Sequence, residues 1–278
     1  MTEPLAGVEA VTFDFGNTLV AVSRDDLRAV VERTADAVVE ADPSIDRATF
    51  LRVWAEERER QFREEVPRFR EVDLAERLVR IYARVRGMDA PPDDTPWDQS
   101  AAAAWSDPAE VERAVEQYSR AFVAGLPPMP GAGELLNRLA RERRLAILSN
   151  WPLAATVDRY AEAQGWTEAL TAIVISQRVG TIKPHPTIFE AARAALGGPD
   201  PGAILHVGDD WAADVVGAID AGWRAAWLRI RPDDSPLPTS QRTDGHRPTA
   251  EIDDIRELET ILARDPSAGV PGTAATAG

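Results

Sequence analysis

Val8-Glu9-Ala10-Val11-Thr12-Phe13-Asp14-Phe15-Gly16-Asn17-Thr18 is an apolar run that stops abruptly at a carboxylate. Its apolar part reads as a buried strand, with Asp14 at the strand end. Far downstream, Ala203-Ile204-Leu205-His206-Val207 repeats the pattern and ends in Gly208-Asp209-Asp210-Trp211-Ala212-Ala213-Asp214. In an open parallel sheet, sites lie outside the carboxyl ends of the strands. Two such strands deliver their acids to one edge, where they can surround one cation.

The rest of the chain supplies a sheet for these strands. Apolar segments at 145–148, 172–175, 203–207 and 224–228 alternate with helical patterns near 131–143, 153–164, 186–196 and 211–221. Strands separated by helices imply parallel βαβ units, with the 8–13 strand as a central member of at least five. Residues 21–124 differ. Leu27, Val30, Val31, Thr34 and Val38 share one helical face, 50–85 is helical in pattern and rich in Arg and Glu, and 101–122 is helical again after the Pro91–Pro96 break. The expected fold is therefore α/β: a Rossmann-like parallel sheet core (1–20 and 125–265) with an inserted all-helical cap domain (21–124). Trp54, Trp97 and Trp105 read as cap core. Residues 231–248 read as a polar surface loop, 252–262 as a last amphipathic helix, and 266–278 as a disordered tail.

Composition narrows the function. The 278 residues are 44% hydrophobic and 28% charged, enough to bury a core, and carry a net charge of −15. Such a surface repels nucleic acid and anionic membrane, and it repels a phosphate substrate unless a local cation offsets the field. Cysteine is absent, which excludes disulfides, thiolate metal sites and a cysteine nucleophile. No apolar run approaches the roughly 20 residues of a membrane span, and no signal peptide is recognisable. A cytoplasmic location is expected. Oligomeric state is not legible.

Several groups at the strand ends can do chemistry, each with a plainer alternative. Asp14 can attack as a nucleophile and split one displacement into two, or merely cap its turn. Asp209 and Asp214 can join Asp14 in a hard-oxygen site suited to Mg²⁺, or cap a helix. Asp210 reads as an exposed helix N-terminal acid. Ser149-Asn150, ending its strand before a helix expected to start at Trp151-Pro152, can cradle phosphate or cap that helix. Lys183 in Gly180-Thr181-Ile182-Lys183-Pro184-His185 can place a fixed cation on the phosphoryl group and on Asp14. His206, inside a strand, reads as a satisfied core histidine, and His185 as a residue near the site.

Taken together, the stretch from Phe13 to Thr18, Leu148-Ser149-Asn150, Lys183-Pro184 and Gly208-Asp209 through Asp214 resemble the haloacid dehalogenase superfamily of hydrolases. The helical insertion stands at that family's cap position. The resemblance implies that Asp14 is the nucleophile and, with the Gly16 carbonyl, Asp209 and Asp214, a Mg²⁺ ligand. It implies that Thr18, Ser149 and Asn150 hold phosphoryl oxygens and that Lys183 stabilises charge. The substrate it implies is a small phosphorylated metabolite. One departure matters. The family's phosphatases usually carry an acid–base aspartate two residues after the nucleophile, and here that position is Gly16. Such a group is worth about 10²–10⁴-fold in rate. Other readings therefore stand beside a phosphatase: a metal-free 2-haloacid dehalogenase, a non-catalytic phosphate-ligand or protein-binding module, and a phosphonate-cleaving relative. The last wants a cap lysine, and 21–124 contains none.

Overall fold

β1 (Ala10–Phe13) is buried at every position, as a central parallel strand must be when both sheet faces are covered. Alternation along the strand decides which face each side chain serves. Val11 and Phe13 join Leu145, Ile147, Leu205 and Val207 in one apolar layer. Ala10 joins Ala146, Leu148 and Ile204 in the other. The computed structural model describes residues 5–92 and 102–263.

Six parallel strands form the sheet: β1, β2 (Arg144–Ser149), β3 (Ala172–Ile175), β4 (Ile204–Gly208), β5 (Arg224–Leu228) and β6 (Ala250–Ile252). Their order is β3-β2-β1-β4-β5-β6. Phe13 stands level with Ile147 on one side and Val207 on the other. The order reverses between β1 and β4. That switch point opens a crevice at the strand ends, and Asp14 and Asp209 each follow one of its two strands.

Helices α1 (Arg24–Ala41), α2 (Arg47–Glu64), α3 (Leu74–Val85) and α4 (Pro108–Gly125) lie between β1 and β2. Each begins at a side-chain cap, Ser23, Asp46, Asp73 and Asp107 respectively, which satisfies N–H groups the helix leaves open. The helical layer and the sheet share packing. Phe122 near the end of α4 stacks on Phe15 and meets Trp151 and Tyr160 edge-on. Trp54 is buried, and Trp105 packs partly buried on the same core. Trp97 and the 266–278 tail fall outside the described residues. After the insertion come α5 (Ala132–Leu139), α6 (Ala154–Ala163) and α7 (Pro186–Ala195). Among the described residues, no helix is long and apolar enough to cross a membrane.

Two expectations are corrected and a third is sharpened. Residues 252–262 are not one helix. Ile252 instead pairs with Leu228 in β6, Asp254 caps a 3₁₀ turn (Ile255–Glu257), and only Leu258–Ile261 is α-helical. Apolar residues at 252, 255, 258 and 261 mimic a helical period, and a three-residue strand is too short to betray itself by alternation. The segment expected at 211–221 opens as a π-helical turn, Trp211–Val216, before Gly217–Asp220. Such turns recur at functional sites. The polar loop after Ile230 stays at the surface as expected, with no buried residue from 231 to 248, but it does not stand apart from the site. Its Ser235, Leu237 and Ser240 fold onto the strand ends.

Candidate active site

Asp14 leaves β1 with its N–H donated to Val207 O at 2.8 Å, so β4 fixes where the carboxylate begins. The chain then turns tightly. Leu19 and Val20 both donate to Phe15 O, and Asn17 adopts a left-handed φ of 57°, which asparagine tolerates better than most residues.

Lys183 is the chain's only lysine, and every other basic side chain of that class is arginine. It is 2% exposed. Its Nζ donates to Asp14 Oδ1 at 2.8 Å, Asp214 Oδ1 at 2.6 Å and Leu148 O at 2.9 Å. A compact ammonium with three donors fits this three-acceptor nest, whereas a planar guanidinium does not. Burial alone would lower its pKa, but Asp14 and Asp214 outweigh it and hold the ammonium charged. Asn150 clamps the lysine's own backbone, accepting from Lys183 N at 2.7 Å and donating to Lys183 O at 3.0 Å. Part of its amide thus positions the lysine, while a second N–H donor is left on a residue that lines the cavity.

Asp214 reaches the cluster because residue 208 is glycine. A Cβ there would stand 2.2 Å from the Asp214 carboxyl carbon. Asp210 N and His206 Nε2 also bond this carboxylate, at 2.8 and 3.1 Å. His206 is thus satisfied in the core as expected, with Thr12 Oγ1 at 2.8 Å on its other nitrogen, yet it also braces a site acid. Burial pushes the Asp214 pKa up, but Lys183 and the His206 hydrogen bond overcome it and leave the pKa below the usual range.

Asp209 has less help, from Arg231 at 3.1 Å and a long 3.4 Å bond from Asn17 Nδ2. It is 9% exposed. Burial, then Asp14 and Asp214, drive its pKa well above the ordinary carboxylate value. Burial likewise raises Asp14, against the pull of Lys183. Oxygens of Asp14, Asp209 and Asp214 lie within 4.8 Å of one another. Three hard oxygen donors that repel each other at this range suit a small divalent cation such as Mg²⁺. The residues present fit that ion.

A cavity of about 350 Å³ opens above these acids. Asp14, Gly16, Ser149, Lys183 and Asp209 line its floor. Thr18 and Ser149 are fully buried; the Thr18 hydroxyl has no hydrogen-bond partner among the described residues, and the Ser149 hydroxyl lies close enough to Asp14 to favour its charged form. Ser149 opens to the cavity, whereas Thr18 is not part of its lining.

Other expectations for the site change. The helix expected at Trp151 starts at Ala154. Trp151 N donates to Ser176 Oγ and Ala154 N to Gln177 Oε1, so these N–H groups are not a free anion cradle. Asp210 is half-buried rather than exposed: it caps the π-turn and accepts from both the N–H and hydroxyl of Ser240. His185 caps α7 through Nδ1.

The sequence reading missed the cavity's far wall. Arg58, Phe62, Glu71 and Arg77 of the helical layer line it, as does Leu237 of the loop. A signal existed on α2: Trp54, Arg58 and Phe62 recur every four residues and so share one face. Arg231, 3.1 Å from Asp209, carried no sequence signal.

A family model for haloacid dehalogenase-like hydrolases matches residues 8–222. The chain belongs to this family. Within it, the chain is 30% identical over 162 residues to the pyrimidine 5'-nucleotidase YjjG of Escherichia coli, an alignment covering 58% of this chain and 68% of that protein. The fold is similar to 2-haloacid dehalogenase from Pseudomonas syringae (TM-score 0.61, 22% identity, 92% of this chain and 98% of that one). It is also similar to the HAD-hydrolase YfnB from Bacillus subtilis, solved bound to magnesium (TM-score 0.57, 20% identity, 92% and 99%). This haloacid dehalogenase-like hydrolase thus has a nucleotidase among its curated relatives.

Proposed function

We propose that this hydrolase is a Mg²⁺-dependent phosphatase of a small phosphorylated metabolite, acting through an aspartyl-phosphate on Asp14. One observation carries the reading. Asp14 stands at the end of the central strand, beside a buried lysine and two further carboxylates, on the floor of a cavity of about 350 Å³. Asp14, Asp209, Asp214 and the Gly16 carbonyl would hold Mg²⁺, which supplies charge neutralisation for the phosphoryl oxygens when bound.

In the first step an Asp14 carboxylate oxygen forms a bond to phosphorus while the bond to the leaving oxygen breaks. Lys183 holds Asp14 in place and keeps its charge matched. Ser149 Oγ, open to the cavity, and Thr18 Oγ1 behind it have donor capacity for phosphoryl oxygens. In the second step water attacks phosphorus, Asp14 leaves as carboxylate, and inorganic phosphate departs. No side chain at position 16 protonates the first leaving oxygen, so substrates whose leaving group departs as a stable anion are favoured. Residues 21–124 form the substrate-selecting cap in this reading, and the cysteine-free chain works in the cytoplasm.

A metal-free halide displacement gives Asp209 no purpose: a third buried carboxylate would repel a carboxylate substrate. The deciding experiment measures phosphate release from an aryl phosphate with Mg²⁺ and with EDTA. Turnover only with Mg²⁺ is expected. Full activity in EDTA, or halide release from 2-haloacids without phosphatase activity, overturns the reading.

A further inference from the structure

The arginines of the helical layer mostly pair with a carboxylate or, like Arg24, Arg33, Arg68 and Arg113, stand exposed. Arg28, Arg47, Arg52, Arg84 and Arg86 each pair with a carboxylate. Arg58 and Arg77, which line the cavity, pair with none among the described residues. Their hydrogen bonds and ring contacts are all to neutral groups, and Glu71 and Asp73 act on Arg77 only at longer range. Arg77 is 5% exposed. Its Nε donates to Gln61 Oε1 at 2.7 Å, its Nη2 reaches Val72 O at 3.5 Å, and its guanidinium lies 5.7 Å from the centre of the Trp54 ring. Half-buried Arg58 donates one Nη2 bond to Pro236 O at 3.0 Å and lies over Phe62 at 4.7 Å.

Buried cations without counter-ions are costly. With 46 acids against 31 Lys and Arg, this chain does not lack partners for them. Glu71 lines the same cavity but does not fill the role. Its carboxyl is bonded to Ser176 Oγ and Val72 N, and burial favours its neutral form. Much of the remaining lining is apolar and aromatic, with Trp54, Phe62, Tyr118, Trp151 and Ile182.

We propose that Arg58 and Arg77 bind a second oxyanion of the substrate, a carboxylate or second phosphate, separated from the scissile phosphoryl group by a flat apolar body. This rests on the phosphatase reading only for where the first phosphoryl group sits. The two arginines act here as specificity residues.

Binding of non-hydrolysable phosphonates to the full chain, in Mg²⁺ and 0.15 M salt at about physiological ionic strength, tests it without turnover. The probes are 4-carboxyphenylphosphonate, benzene-1,4-diphosphonate and the neutral isostere 4-carbamoylphenylphosphonate, measured by calorimetry. At least one dianionic probe is expected to bind about tenfold or more tighter than the carboxamide, as a desolvated charge-assisted pair requires. Which of the two wins distinguishes carboxylate from phosphate. Arg77→Met and Arg58→Gln should each shrink that advantage several-fold. Arg58→Gln, at the less buried position, keeps the test valid if Arg77→Met fails to fold. Equal affinities for all three probes, an advantage surviving in folded variants, or no binding of any probe overturns the proposal. Retained preference with no phosphatase activity overturns the phosphatase reading alone.

Discussion

Leu237 fills the space that a side chain on Gly16 would need. A Cβ built there would stand 2.5 Å from Leu237 Cδ1 and 3.1 Å from Trp151 Cζ3. The acid–base position is therefore closed by apolar atoms as well as lacking a carboxylate. Arg231 Nη2 donates to Leu237 O at 2.9 Å, which ties the plug to the loop that covers the site.

This pair predicts how rate depends on the leaving group. The natural protein should lose rate steeply as leaving-group pKa rises from nitrophenol towards alkanol. Gly16→Asp alone should flatten the slope only as far as the tip of the half-buried Leu237 side chain moves aside. Gly16→Asp with Leu237→Ala should flatten it, gaining up to about 10²-fold on alkyl phosphates, the low end of general-acid effects. A flat dependence in the natural protein would show that another group donates the proton.

Asp14→Asn should abolish turnover, since an amide does not attack phosphorus. The fold should persist, because Lys183 keeps Asp214 and Leu148 O as acceptors. Phosphate release and circular dichroism check the two halves. Retention of most activity by the folded variant would remove Asp14 as nucleophile.

Lys183→Met should destabilise by about 3–5 kcal/mol, as removal of one partner of a buried ion pair does. The change leaves Asp14 and Asp214 facing each other with Asp209 nearby. Urea denaturation measures it. A cost under about 1 kcal/mol, the range of exposed pairs, would mean that the three acids tolerate one another without the ammonium.

Glu76, in the first turn of α3, makes a prediction about pH. Burial, then the neighbouring Asp73, raises its pKa from 4.5 to about 8. A raised folded-state pKa means that the neutral carboxyl's stabilisation is complete below about pH 4.5 and is lost as pH rises through about 8. The melting temperature of the natural protein should therefore fall between pH 5 and 9, and Glu76→Gln should fall less. Parallel curves for the two proteins would show that Glu76 titrates normally.

The sheet and the acidic floor of the cavity were legible because they depend on local signals. Strands ending at Asp14, Ser149 and Asp209 are apolar runs with polar stops, and the observed β1, β2 and β4 differ from expectation by only a residue or two at their ends. The far wall was less legible because it depends on tertiary folding. Arg58 and Arg77 look like the many other arginines of 21–124 until folding shows them withdrawn from solvent without a paired carboxylate. Leu237 sits in a Pro- and Ser-rich stretch whose composition signals a loop but not where the loop goes. Asn150 shows a subtler limit: sequence placed it at the site, but only geometry shows its amide holding the Lys183 backbone.

Arg231 stands 3.1 Å from Asp209 Oδ2, the acid with least other compensation. A bound divalent cation and this guanidinium would then serve the same carboxylate from two sides, and like charges at such range oppose each other. Removing the guanidinium should strengthen cation binding. Arg231→Gln is expected to lower the Mg²⁺ concentration for half-maximal binding several-fold, whereas Asp209→Asn should raise it about tenfold or more, the loss of a direct ligand. Binding is read by calorimetry on protein stripped with EDTA, so the result does not depend on turnover. EDTA should also end phosphatase activity, and Mg²⁺ should restore it. Weaker Mg²⁺ binding in Arg231→Gln would mean that the arginine orients Asp209 for the metal. Unchanged binding in Asp209→Asn would remove Asp209 from the ligand set.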